Sequence, residues 1–222
     1  GLFFVAEPDR LHTRPSILLT LGQVLRDVWT MLKSRLGLLC GLIMLLPIGT
    51  SAASNLWAGV AGDWSAGAKT VELSQGALSG VLTAVGCIAG GYACDKLDRK
   101  TAYCLFGILV SVSLVAMALS PRTPSMFVVF TLSYAVITGA CYAAYSAVVL
   151  EAIGHGAAAT KFNLMASIAN VPVLLMTQGD GWLHDKGGAN WMLYGEAAAG
   201  VLAVLFFGGL VALLPKQGVA EA

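Results

Sequence analysis

An all-α, polytopic membrane fold is what this sequence predicts, on three observations. Hydrophobic residues make up 57% of the 222 residues and charged residues only 11%, against roughly a quarter charged in a soluble domain. The apolar residues gather in six blocks, each about 20 residues or a little longer. At about 1.5 Å per residue that suffices to cross a hydrocarbon core of ~30 Å. Gly and Ala are spread through the blocks and short alternating strands are lacking. Helices, which satisfy their own backbone groups in lipid, are therefore favoured over a barrel.

The chain divides accordingly. Residues 1–6, Gly1-Leu2-Phe3-Phe4-Val5-Ala6, are too short and wrongly flanked for a signal peptide and are expected to be the end of a preceding transmembrane helix. Residues 7–35 form a basic cytoplasmic connector, with Thr13, Arg14 and Pro15 as a helix start. Ile17, Leu18, Leu21, Val24, Leu25, Val28 and Leu32 then recur at helical spacing, with Gln23, Arg26, Asp27, Thr30 and Lys33 opposite. This predicts an amphipathic helix lying in the membrane interface. Residues 36–214 are the six-helix bundle and 215–222 a cytoplasmic tail.

The first span, Leu36 to Asn55, carries Pro47, which removes a backbone donor and predicts a kink. Its polar outer end, Thr50, Ser51, Ser54 and Asn55, precedes Trp57 and Trp64, rings of the kind enriched at membrane interfaces. In the second span, Ser74 to Cys94, Gly76, Gly80, Gly86 and Gly90 make two small-xxx-small pairs that predict close packing against another helix. The third span, Thr101 to Leu119, and the fourth, Ser125 to Leu150, are joined by Ser120-Pro121-Arg122-Thr123-Pro124. Two prolines there force a sharp turn and make the pair antiparallel. Phe162 to Leu183 and Trp191 to Leu214 complete the set.

Charge placement predicts orientation. On one set of alternate loops lie Arg10, Arg14, Arg26, Lys33, Arg35, Lys96, Arg99, Lys100, Lys161 and Lys216; the other set holds only Lys69, Arg122 and Lys186. Basic loops stay inside, so both ends of this chain are expected in the cytoplasm, with the bundle in the cytoplasmic membrane.

The densest charge knot is Gly91-Tyr92-Ala93-Cys94-Asp95-Lys96-Leu97-Asp98-Arg99-Lys100, between the second and third spans. It resembles the loop signature of the major facilitator superfamily, with Gly91, Asp95, Lys96, Arg99 and Lys100 at matching positions; Asp98 stands where that superfamily usually has Gly, in a turn for which Asp can adopt left-handed backbone geometry. Gly181-Trp182-Leu183-His184-Asp185-Lys186-Gly187-Gly188-Ala189-Asn190-Trp191 is similar to an element at the outer end of the fifth span of a superfamily half. The run from Tyr145 through Thr160-Lys161-Phe162 to Trp191 is similar, less specifically, to muropeptide permeases and related peptide or acyl-CoA carriers. The resemblance implies the C-terminal half of a twelve-helix carrier that works by alternating access, with the charge knot as a gating latch. Its partners would be the lipid bilayer, an N-terminal six-helix half and a small solute, with a proton as a possible coupling ion. It also implies that the first and fourth helices of a half line the cavity, with the second and fifth beside them.

On the fourth span Tyr134, Thr138, Cys141, Tyr142 and Tyr145 share one helical face, and on the fifth Asn163, Ser167, Asn170, Thr177 and Gln178 share another, with Pro172 between them. Two readings stand: a substrate pathway through Tyr134, Thr138, Tyr142, Tyr145, Asn163, Asn170, Gln178 and Asn55, or interhelical glue. Ionisable residues are nearly absent from the spans. Glu196, deeper, and Asp180, near an outer end, are the candidates for proton coupling, with a structural hydrogen bond as the alternative.

No cofactor, metal site or nucleic-acid partner is expected. His12, His155 and His184 sit in separate loops, and Cys40, Cys87, Cys94, Cys104 and Cys141 lie in apolar blocks without paired spacing. No nucleophile elbow occurs, so a transporter that is not an enzyme is expected. A transporter-like membrane sensor is the first alternative and an intramembrane enzyme the second.

Overall fold

A computed structural model describes residues 17–153 and 157–213. The expected span end at 1–6, the helix start at Thr13 to Pro15, and the tail at 215–222 lie outside the described residues, as do His12 and His155. The described chain is all helical. Four helices are long and apolar enough to cross a membrane, or five if one bent pair counts as a single span.

Helix α1 (Ile17–Lys33) is the expected amphipathic helix. Met31 is buried in the bundle while Leu25 and Trp29 stand 61% and 59% exposed, so much of its apolar surface meets no protein. A helix in the bilayer interface offers lipid that kind of surface. The chain bends 78° into α2 (Arg35–Leu45). Ser34 holds the corner: its hydroxyl donates to the Met31 carbonyl at 2.7 Å and accepts the Gly37 N–H at 2.9 Å. A Cβ on Gly37 would collide with that same carbonyl.

The first span is not a kinked helix but a broken one. Helix α2 stops at Leu45, because Leu46 precedes a proline and is extended (φ −84°, ψ 142°). Gly49 (φ +57°) and Ser51 (φ 55°) then adopt left-handed geometry. The chain resumes as three short turns: a 3-10 turn at Ala52–Leu56, α3 (Trp57–Val60), and a second 3-10 turn at Ala61–Trp64. Irregular backbone at membrane depth needs protein partners. It has them: the Tyr103 hydroxyl donates to the Ile48 carbonyl at 2.9 Å, and the Ala53 N–H donates to Glu196 at 2.8 Å. Trp57, Val60, Ala61 and Trp64 bury themselves among the long helices.

The second span runs from α4 (Ala68–Leu73) through a π-turn at Ser74–Leu78 into α5 (Ser79–Cys94). Of the four glycines expected to pack, Gly86 and Gly90 do, and both are buried against helix α7 (Pro124–Ile153). Gly76 and Gly80 do not; they face open space, and Gly76 marks the irregular turn.

Helix α6 (Arg99–Leu119) starts at Asp98, whose carboxylate accepts the Thr101 N–H and hydroxyl, each at 3.1 Å. Asp98 is not left-handed (φ −57°, ψ 131°), contrary to the turn expected from the sequence. It is an N-cap, a role in which aspartate excels and alanine fails. Asp98→Ala should cost about 1 kcal/mol, read as a lower melting temperature in detergent; Asp98→Asn, which keeps the acceptor, should lose much less.

Helix α8 (Ala158–Leu213) contains both the fifth and the sixth expected spans. Gly188 breaks it (φ 70°, ψ −170°) into arms at 158–187 and 189–213. A Cβ on Gly195 in the second arm would run into the Leu183 side chain of the first. In a continuous helix those two residues would stand about 18 Å apart, so the arms fold back on one another. Pro172 interrupts neither arm's helical course. Two buried clusters result. One lies toward the 95–100 loop, around Ile43, Tyr103, Val149 and Met165; the other lies toward the 120–124 turn, around Trp57, Leu114, Phe127 and Met192.

Candidate functional site: a cavity beside a buried carboxyl pair

The break in the first span creates space. A cavity of about 370 Å³ opens between residues 44–51, Tyr103 of α6, the middle of α7 and the first arm of α8. Thr138, Tyr142 and Tyr145 of the predicted pathway line it, with Cys141 and, from the first arm, Asn170. Tyr142 and Tyr145 stack at 5.8 Å between ring centres, and Tyr142 is 60% exposed. Tyr145 is buried to 7%, yet its hydroxyl has no hydrogen-bond partner. Among the described residues no charged side chain lines the cavity.

Four pathway candidates do not reach it. Tyr134 is buried instead in the cluster toward the 120–124 turn, edge-on to Trp57 at 5.4 Å. Asn55 donates to the Thr177 hydroxyl at 3.0 Å, joining the short turns to the first arm of α8. Asn163 and Gln178 are exposed on that arm away from the cavity lining. The structural reason is the broken first span: its short turns fill the half of the bundle toward the 120–124 turn and confine the open space to one end of the tyrosine stripe.

The same break builds a second polar site. Glu196, 4% exposed, accepts the Ala53 N–H on one oxygen and, on the other, the Tyr134 hydroxyl at 3.1 Å and the Thr50 hydroxyl at 3.4 Å. Asp180 is fully buried, and neither of its oxygens meets an N–H or hydroxyl donor among the described residues. The sequence singled out both acids but not Thr50 or Tyr103. Thr50 was legible only as part of a polar span end.

At the end of the bundle holding the charge knot, Arg99 and Lys100 pair with Glu151 of α7 at 3.7 and 3.5 Å, which ties α6 to α7. These side chains are 30–46% exposed and so screened by solvent, and each pair contributes at most about 1 kcal/mol. Lys96 lies 4.5 Å over the Tyr92 ring, Asp95 is exposed, and nothing crowds Gly91. Lys161, buried where α8 begins, donates to the Ile153 carbonyl at 3.0 Å. At the far end Arg122 stacks 3.7 Å over Trp64 and donates to Asn190, joining three segments. All five cysteines are free, and among the described residues no three His, Cys, Asp or Glu side chains group as a metal site.

Compared with protein families, curated proteins and solved structures, the chain matches none.

Proposed function

We propose that this chain is one six-helix half of an alternating-access carrier of the major facilitator type, and that it moves a small, uncharged polar solute through the 370 Å³ cavity. The observation that carries the reading is the Tyr145 hydroxyl, buried on a cavity wall with no partner among the described residues. A buried hydroxyl left without a partner is costly, and a solute that bonds it would recover that cost. The stacked Tyr142 and Tyr145 faces, with Thr138 and Asn170, offer apolar area and neutral hydrogen-bond groups to a ring or amide. A wall without fixed charge suits an uncharged cargo.

Two further features support the carrier reading. The cavity draws on the first, fourth and fifth spans and lies beside irregular membrane-depth backbone, where transporters commonly build their sites. The charge knot and Glu151 make a surface ion-pair cluster weak enough to open and reclose. In the cytoplasmic membrane its basic loop would face inward.

The test reconstitutes the intact protein in liposomes and follows uptake of labelled neutral sugars and capped short peptides. Tyr145→Phe should weaken half-saturation for the transported solute about fivefold, the worth of one hydrogen bond, while the melting temperature holds. A fall in melting temperature with unchanged half-saturation would make Tyr145 structural. Binding without flux would mark a sensor, and a chemically altered solute an enzyme.

A further inference from the structure

We propose that the cavity selects a flat, neutral ring whose edge carries amide N–H and C=O groups, the chemistry of a pyrimidine base, an inference that rests on reading this cavity as the carrier's solute site. The hydrogen-bond groups that the wall leaves free define the class. Four of its hydroxyls have their protons committed to the protein. Thr50 donates to Glu196, Ser51 to the Thr50 carbonyl, Tyr103 to the Ile48 carbonyl and Thr138 to the Tyr134 carbonyl. Toward a solute these four can only accept. The Tyr142 hydroxyl, on an exposed side chain, can turn to water. That leaves the Tyr145 hydroxyl and the Asn170 carboxamide, neither of them hydrogen-bonded among the described residues.

A carboxamide sets a donor beside an acceptor. Its best complement is an N–H beside a C=O on a rigid edge, which it meets with two parallel bonds, as asparagine meets the edge of a base. A second carbonyl on the same ring then receives the Tyr145 O–H. The faces of such a ring call for a different surface, apolar and π-rich. Tyr142, stacked on Tyr145, offers it an aromatic face, and Met44, Ile48 and Val173 supply aliphatic wall.

Size and polarity disfavour the other neutral cargoes. The 370 Å³ cavity lies near the lower end of the range of about 300 to 1,000 Å³ for ligand sites, so the cargo is compact. A one-ring sugar carries a hydroxyl on nearly every carbon, and aliphatic wall strips those hydroxyls of water without replacing their bonds. A capped peptide has rotors that binding must freeze, a cost that a rigid ring does not bear.

The experiment measures binding of labelled uracil to the intact protein in lipid nanodiscs by equilibrium dialysis, with unlabelled competitors and no flux required. Uracil should bind saturably. The competitor 1,3-dimethyluracil, which keeps the ring and both carbonyls but has no N–H, should displace it about tenfold less well. In Asn170→Leu that preference should shrink to about twofold or less, while the melting temperature holds because the Asn170 amide bonds nothing in the protein. Tyr142→Leu should weaken uracil about fivefold and Tyr142→Phe, which keeps the ring, much less. No saturable uracil binding, equal displacement by the two rings, a preference that survives Asn170→Leu, or tighter binding of glucose or a capped dipeptide would overturn the proposal. Uracil binding without uracil flux into liposomes would retain the ring site and sink the carrier reading. Flux of a sugar or capped peptide with no uracil binding would do the reverse.

Discussion

Gly139→Val should lower the melting temperature by roughly 10 °C in detergent, while Gly80→Val in the facing span should leave it nearly unchanged. A Cβ at Gly139 would run into the Thr83 carbonyl oxygen and stand 3.0 Å from its carbon. From the other side, a Cβ at Gly90 would lie 2.5 Å from the Ala140 Cα. Both obstacles are backbone, which cannot rotate away as a side chain can, so α5 and α7 must separate along their contact. Without a hydrophobic drive between helices in lipid, close packing of this kind is a main source of association. Overpacking costs about 3 kcal/mol at such a site, or a melting temperature lower by roughly 10 °C in detergent. Gly80 has open space around it and should tolerate valine within about 0.5 kcal/mol. Equal damage from the two variants would mean that the α5–α7 contact does not organise the bundle.

The same pair of glycines shows how far sequence reading reaches. Spacing identified the second span as small-residue-rich, but spacing repeats along a helix, and only a partner's position distinguishes Gly86 and Gly90 from Gly76 and Gly80. The membrane-compatible helices, the amphipathic α1 and the turn at 120–124 were legible because each rests on local chemistry: apolar length, helical periodicity and paired prolines. Pro47 was legible as a disturbance. That it ends the helix depended on tertiary partners, since the freed backbone needed the Tyr103 hydroxyl and the Glu196 carboxylate to receive it. Asp98 was read through the superfamily's glycine as a turn residue, whereas Thr101 three residues on was the better guide, because capping asks for an acceptor placed before a helix.

The site was legible in half. Thr138, Tyr142 and Tyr145 share one helical face and Asn170 lies on another, and the four line one cavity. Tyr134 is on the same face as Tyr145, eleven residues earlier, yet it bonds Glu196, because Trp57 and its neighbours fill the half of the bundle toward the 120–124 turn. Periodicity fixes the direction of a side chain around a helix and not what occupies the space before it. Glu196 and Asp180 stood out by rarity alone. What spacing could not show is that the second arm returns along the first, which the reversal at Gly188 brings about.

Glu196→Leu should be more destabilising than Glu196→Gln, and part of its cost should be recoverable at a second position. Leucine fits the apolar surroundings but leaves the Ala53 N–H, the Tyr134 hydroxyl and the Thr50 hydroxyl without an acceptor. A buried donor stripped of its partner costs about 1–3 kcal/mol. Relief from burying a carboxylate offsets some of this, so a net loss of about 3 kcal/mol is expected. Glutamine retains one acceptor oxygen, can satisfy the two hydroxyls, and orphans only the Ala53 N–H, for a loss of about 1 kcal/mol. Adding Tyr134→Phe to Glu196→Leu removes one stranded hydroxyl and should return about 1 kcal/mol, although Tyr134→Phe alone destabilises. That reversal of sign, measured as melting temperatures of the four proteins in one detergent, separates a hydrogen-bonded carboxylate from a side chain that merely fills space. Additive losses in the double variant would show that Tyr134 and Glu196 do not act through each other.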